Sequence, residues 1–153
     1  MRVAIGSDHA GYALKERLKQ ELERLGHDPV DVGTDSASEP VDYPDFCFPV
    51  GEMVARGEVE RGVVLGGSGI GESIAANKVA GVRAALVTSD ETARLTREHN
   101  DSNVLALGGR TTRDPEDAAR WLRIWLETPF AGGRHERRLA KIRDYEAAHL
   151  LGR

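Results

Sequence analysis

Short continuous apolar runs alternate along this chain with stretches in which apolar residues recur every three or four positions. Val3-Ala4-Ile5 is the first run and reads as a buried strand. Tyr12, Leu14, Leu18, Leu22 and Leu25 follow at helical spacing up to Gly26, a residue suited to ending a helix. Pro29 to Gly33 predicts strand two, and Thr34 to Pro44 a polar loop. A helix is predicted from Asp45 to about Arg56, with Val50, Met53 and Val54 inward and Gly57 as its stop. Gly62 to Leu65 gives strand three, and a glycine-rich loop then leads into helical residues Ile74 to Lys78. Ala84 to Val87 gives strand four. Ser89 is a good N-cap for a helix that carries Leu95 and ends near His99-Asn100. Val104 to Leu107 gives strand five, closed by Gly108-Gly109-Arg110. Asp114-Pro115 pairs an N-cap with proline at the first helical position, ahead of Trp121, Leu122, Trp125 and Leu126. Thr128 to Gly133 breaks the chain, and a last helix runs from about His135 to Leu151.

Strands alternate with helices throughout, and the strands are apolar at consecutive positions rather than at every second one. That pattern predicts a parallel sheet covered on both faces. The expected fold is α/β: a three-layer α/β/α sandwich with a five-stranded parallel sheet, Rossmann-like, plus a C-terminal helix, as one domain over residues 1–153. Ligands of such sheets bind outside the carboxyl ends of the strands. Four groups stand there: Asp8-His9 after strand one, the glycine loop with Ser68 and Glu72 after strand three, Ser89-Asp90 after strand four, and Arg110 after strand five. The functional residues are expected mainly among them.

Composition narrows the chemistry. The net charge is −4 and only 5% of residues are aromatic, which argues against nucleic acid as a partner. The single cysteine, Cys47, excludes an internal disulfide and a cysteine-based metal cage, and it fits a reducing compartment. Its neighbours Phe46 and Phe48 mark it as a buried thiol rather than a nucleophile. The opening residues read as a strand rather than as a leader, and no apolar run approaches the ~20 residues that span a bilayer. A cytoplasmic protein with no membrane contact is expected. The five histidines are scattered and form no His-x-x-x-His pair, so neither a metal site nor a cofactor is expected.

Gly66-Gly67-Ser68-Gly69-Ile70-Gly71-Glu72-Ser73 holds four glycines in six residues, between a buried strand and a helix. Such a loop presents backbone N–H groups to an anion, although a lone glycine cluster is most often only a tight turn. The spacing imitates a phosphate-binding loop, but Glu72 stands where the lysine belongs, and it also displaces the third glycine of a dinucleotide fingerprint. A carboxylate there repels a phosphate. It suits a site where an oxyanion such as an enediolate develops beside Gly67, Gly69 and Gly71 while Glu72 moves a proton. The bland alternative is an acidic residue in a helix's first turn, worth ~0.3–1 kcal/mol.

Each other candidate has its own ordinary explanation. Asp8 suits a helix cap, and His9 a solvated ring. His99-Asn100 lies at a helix C-terminus, where a cation complements the dipole, yet histidine is also the natural proton shuttle near neutral pH. Asp90 needs no role beyond the helix start. In Gly133-Arg134-His135-Glu136-Arg137-Arg138 a solvated face is the default. Arg134 and Arg138 are four apart and share one face, however, and two guanidinium groups together suit a phosphate dianion. Arg137 lies off that face.

Taken together these residues resemble the type B ribose-5-phosphate isomerases, within the wider family that includes galactose-6-phosphate and allose-6-phosphate isomerases. The likeness rests on Gly6-Ser7-Asp8-His9-Ala10-Gly11, Asp42-Tyr43-Pro44, Gly67-Ser68-Gly69-Ile70-Gly71, Ala75-Ala76-Asn77-Lys78, His99-Asn100-Asp101, Gly108-Gly109-Arg110 and Gly132-Gly133-Arg134-His135, in order over nearly the whole chain. Many members carry a cysteine base at the position of Gly66. This chain instead resembles the branch, typical of actinobacteria, with glycine there and glutamate at the position of Glu72; Cys47 lies elsewhere. The resemblance implies a homodimer, in some members a tetramer, with shared active sites, so that His99, Asn100 and Arg110 reach into the partner's pocket. It also implies a phosphorylated sugar as substrate, ribose 5-phosphate first, and a place in pentose phosphate metabolism.

In the implied mechanism His99 helps open the ring. Glu72 carries the proton between C2 and C1 through a cis-enediolate, Ser68 and Asp8 manage hydroxyl protons, and the loop's N–H groups take the place of a metal. His9, Arg110, Arg134 and Arg138 clamp the phosphate, and Asn100 binds sugar hydroxyls. Tetrose and hexose phosphates remain alternatives. A non-catalytic sugar-phosphate or nucleotide-binding module is a rival that has no use for Glu72 or His99 as proton carriers.

Overall fold

The computed structural model describes residues 1–151; the last two positions expected in the domain, Gly152 and Arg153, lie outside the described residues. In chain order the elements are β1 (Arg2–Ser7), α1 (Tyr12–Arg24), β2 (Asp28–Asp31), α2 (Pro44–Ala55), β3 (Arg61–Gly66), α3 (Ile70–Ala76), β4 (Ala84–Leu86), α4 (Asp90–Asn100), β5 (Val104–Gly108), α5 (Pro115–Glu127) and α6 (Arg134–His149). One sheet carries all five strands in the order β2-β1-β3-β5-β4, and every pairing is parallel. Among the described residues no helix is long and apolar enough to cross a membrane.

Alternation along the central strands sorts their side chains into two cores. Val3, Ile5, Val63, Leu65, Leu105 and Leu107 pack with Leu14, Leu18 and Leu22 of α1, Ala93 of α4, and Leu122 and Trp125 of α5. Ala4, Val64, Val104 and Ala106 pack instead with Cys47 and Val50 of α2 and Ala75 and Ala76 of α3. Because the strands are apolar on both faces, each face takes a helical layer, and the three expected layers result. Each fully buried Leu or Val stabilises the fold by about 1.5–3 kcal/mol relative to exposure. The indole N–H of buried Trp125 donates to Ser102 at 2.8 Å. The Arg61 guanidinium lies over its ring, and burial pushes that group down to about 10. α6 buries Leu139 and lies against α4.

The caps read from the sequence are in place. Ser89 accepts from the Thr92 N–H and forms a capping box with it, and Asp114 accepts from the Glu116 N–H ahead of Pro115. The clearest departure is α3, which begins at Ile70 rather than at Ile74. Gly69 takes φ +79° as its N-cap, and the Ser68 hydroxyl accepts the Ile70 N–H at 3.2 Å, so the glycine loop already contains the first helical turn.

Two topological details matter below. The chain leaves β1 for β2 on one side and returns to β3 on the other, so the carboxyl ends of β1 and β3 flank a switch point. At the far edge β4 is only three residues long. There the Asn77 side chain accepts the Ala84 N–H at 2.8 Å and donates to the Ala84 carbonyl at 2.9 Å, as a neighbouring strand would.

Candidate active site

A cleft of about 600 Å³ opens at that switch point, lined by Asp8, His9, Tyr43, Ser68, Glu72 and Arg110 together with Ala10, Gly67, Ile70, Gly71 and Thr111. Its walls are loops tied to one another. The Asp8 N–H donates to the Leu65 carbonyl at 3.3 Å, which fixes the β1 loop against the end of β3. The N–H of Gly109 donates to the Gly66 carbonyl at 2.7 Å, and those of Arg110 and Thr111 to the Gly67 carbonyl at 2.9 and 3.2 Å. These three bonds occupy the carbonyl side of the glycine loop. Its peptides cannot rotate without breaking them.

Glu72 is the third residue of α3 and is only 3% exposed. Burial pushes its carboxyl above the usual range and the Asp8 carboxylate adds to this, while the N–H groups of Glu72 itself and of Gly69 oppose the rise. Its seat depends on Gly66: a Cβ built there would overlap Oε1 of Glu72. The backbone at 66 and the carboxylate of 72 therefore share one space, which only glycine leaves open.

The remaining candidates at the strand ends each have a defined contact. Asp8 is 7% exposed, and its Oδ1 accepts the Gly11 N–H at 3.1 Å, so it braces the turn into α1 as well as facing the cleft. The Val41 N–H donates to Nδ1 of His9 at 3.2 Å. Ser68 meets the cleft and caps Ile70. Cys47 is 1% exposed and does not line the cleft. Burial, with smaller contributions from Glu72 and Asp8, pushes its thiol up to about 12, so it stays protonated and unreactive.

The structure divides the remaining candidates into two groups. Arg110, assigned by the resemblance to a partner's pocket, lines the cleft of its own chain, because the β3–β5 register sets Gly66 opposite Gly108 and delivers the loop after β5 onto Gly67. Ser89-Asp90 takes no part in the cleft; Ser89 caps α4 and Asp90 pairs with Arg120 at 2.9 Å. His99, Asn100, Arg134 and Arg138 do not line the cleft either. They sit where α4 meets α6. The His99 ring stacks on His135 with centroids 4.3 Å apart, Asn100 borders a separate groove beside β4, and Arg134 and Arg138 are exposed. Burial lowers the His135 pKa first, and His99, Arg134 and Arg138 lower it further.

Sequence reasoning missed Tyr43 and Thr111 as lining residues. The available signal for Tyr43 was an aromatic placed directly before the proline that opens α2. Thr111 had no signal beyond following Arg110.

A buried carboxylate beside a helix N-terminus, in a cleft at the carboxyl edge of a parallel sheet, is the arrangement of an α/β protein with its site at a switch point. A family profile described as Ribose/Galactose Isomerase matches residues 3–142. The chain is 49% identical over 150 residues to the Bacillus subtilis protein YwlF, covering 98% of this chain and 100% of that one. It is 44% identical to the ribose-5-phosphate isomerase B of Mycolicibacterium paratuberculosis, covering 97% of this chain and 94% of that one. The solved Clostridium thermocellum ribose-5-phosphate isomerase B superposes with a TM-score of 0.94 at 47% identity, covering 97% of this chain and 99% of that one. The chain belongs to the ribose/galactose isomerase family.

Proposed function

We propose that this isomerase interconverts ribose 5-phosphate and ribulose 5-phosphate, with Glu72 as its base. The observation that carries the reading is the seat of Glu72: a buried carboxylate lodged against Gly66, at a cleft that also presents Asp8, Ser68, His9 and Arg110. The names of the mycobacterial and clostridial relatives support the choice of sugar.

The sugar binds largely as a closed furanose. His99, Asn100, Arg134 and Arg138 come from a second copy of the chain whose α4–α6 corner closes the cleft, and His99 assists ring opening. Glu72 then removes the proton on C2. The electron pair enters the C1–C2 bond, and the oxygen on C1 takes up the negative charge of a cis-enediolate. The N–H groups of Gly69 and Glu72 face the Glu72 carboxylate, which leaves those of Gly67, Ser68 and Gly71 for the oxyanion. Glu72 returns its proton to C1 while the C2 hydroxyl loses its own proton and becomes the carbonyl. Asp8 and Ser68 relay the hydroxyl protons. One hydrogen has moved between adjacent carbons, and nothing external is oxidised or reduced. His9, Arg110, Arg134 and Arg138 hold the distant phosphate, and that grip positions the reacting carbons.

Glu72→Gln tests the base. Turnover should fall by about 10³-fold, since general acid–base groups contribute ~10²–10⁴, with sugar-phosphate affinity retained. Near-normal turnover would remove Glu72 from the mechanism. NMR detection of solvent deuterium entering a panel of tetrose, pentose and hexose phosphates tests the sugar. Exchange should be fastest with ribose 5-phosphate; faster exchange into a hexose phosphate would move the assignment.

A further inference from the structure

Lys15 is a charged residue on α1, yet its side chain is 1% exposed, and none of the chemistry above uses it. Its ammonium meets Oδ2 of Asp31 at 2.7 Å and Oε1 of Glu16 at 3.4 Å, and lies 5.1 Å from the centre of the Tyr12 ring. Its other hydrogen bond, 2.8 Å long, goes to the carbonyl of Thr34. Thr34 is where the chain leaves the sheet, its N–H still donating to the Ser7 carbonyl at 2.9 Å. From there residues 34–43 cross the cleft's flank as a strap. The Ser36 hydroxyl accepts the N–H groups of Ser38 and Glu39 and so folds its first part, and the start of α2 fixes its end at Tyr43.

Near its far end the strap makes the Val41 contact to His9. A backbone N–H can only donate, so Nδ1 of His9 must offer its lone pair there. The neutral ring then carries its proton on Nε2, the one ring nitrogen left for the cleft. A ring protonated at Nδ1 instead would lose the Val41 bond and turn an acceptor toward an incoming phosphate. Asp31, Lys15 and the Thr34 carbonyl at one end of the strap are thus joined through the chain to the Val41 N–H and His9 near the other.

We propose that Lys15 is a positioning residue for phosphate binding: it pins the 34–43 strap, and the strap holds His9 as the Nε2–H tautomer that donates to a phosphate oxygen. The proposal rests on the sugar-phosphate reading of the cleft, but its first half is observable without any substrate. Nitrogen-15 NMR of the wild-type protein, well above the ordinary imidazole pKa of about 6.5, should show His9 protonated at Nε2 alone. An Nδ1-protonated ring overturns the proposal outright. Lys15→Met keeps the length of the side chain and deletes the ammonium. It should turn the His9 signature into a mixture of tautomers and raise KM for ribose 5-phosphate about tenfold, with a smaller fall in kcat. A His9 signature unchanged in that variant reduces Lys15 to a structural residue, whatever happens to KM, and overturns the proposal.

Removing the buried ammonium from its half-buried pair with Asp31 can prevent folding. Val41→Pro then makes the same test, since it deletes the donor to His9 and leaves Lys15 and Asp31 untouched; the same mixture and the same rise in KM are expected, and an unchanged tautomer overturns the proposal. Failure of the sugar-phosphate reading looks different: the wild-type tautomer stands, but neither inorganic phosphate nor ribose 5-phosphate moves the His9 signals, and the assigned role in phosphate binding falls.

Discussion

Glu72 and Asp8 are 3% and 7% exposed in a cleft whose loops are laced together by backbone hydrogen bonds, whereas Arg134, Arg138 and Asn100 stand in solvent at the end of α4 and the start of α6. The first region is held within one chain: the Glu72 carboxylate, the glycine loop and the Asp8 carboxylate all have their contacts there. The second has the right residue types, but of them only Asn100 borders a pocket, the groove beside β4. Its histidine leans on another histidine, and its guanidinium groups have no carboxylate within reach of a salt bridge among the described residues. Proton transfer demands placement to a fraction of an ångström, and a phosphate clamp tolerates long flexible arms. The rigid half therefore suits the proton transfer proposed for it, and the exposed half suits the proposed phosphate clamp.

The sharpest way to break this contrast is to disturb the rigid half with one methyl group. Gly66→Ala should cut kcat about 10²-fold, the cost of misplacing a reacting group by about an ångström, because the new Cβ evicts the Glu72 carboxylate from its seat. Unchanged turnover would mean that the carboxylate works from some other position. The contrast is tested next by separating its halves onto different subunits. Glu72→Gln and His99→Asn proteins, each nearly inactive, should recover about a quarter of wild-type activity when unfolded and refolded together, as random pairing in a symmetric dimer with shared sites requires. A mixture as inactive as its components would place both halves of each site in one chain.

The smallest effect concerns pH. With its pKa raised in the folded protein, Glu72 loses its proton later than an ordinary glutamate, so the acid limb of kcat against pH should lie above the usual carboxylate range. Asp8→Asn should move that limb down, since the Asp8 charge is one source of the rise; burial, the larger source, stays. The same sign governs stability. The folded carboxyl holds its proton at pH values where the unfolded chain has released it, so ionising Glu72 costs stability as pH rises through that window. Glu72→Gln should match wild type in acid and melt higher than wild type at neutral pH.

Much of the sheet was legible because consecutive apolar positions in Val63-Val64-Leu65 and Val104 to Leu107 leave little choice but burial on both faces. The caps at Ser89 and Asp114 were legible because capping is a local event. The early start of α3 was not: glycine is a poor helix former, and nothing local says that Gly69 will serve as a left-handed cap. Strand order was the deeper gap. The alternation of elements sets Arg110 at the carboxyl edge together with the glycine loop, but only the pairing of β5 with β3 brings it onto Gly67. Lys15 and Val41 were invisible for a related reason: a lysine on a helix reads as surface until the fold closes Asp31 and Thr34 over it. Glu72 was the exception, since an acid replacing the expected lysine is a contradiction visible in the letters themselves.

The rim of the sheet at β4 shows how the molecule keeps its boundary. An unpaired strand offers its peptide groups to any passing chain, and Ala84 would do so but for the amide of Asn77, which answers both its donor and its acceptor. A single side chain thus acts as a stopper on a ladder that could otherwise keep growing. A strand added at this rim would first have to displace that amide from Ala84.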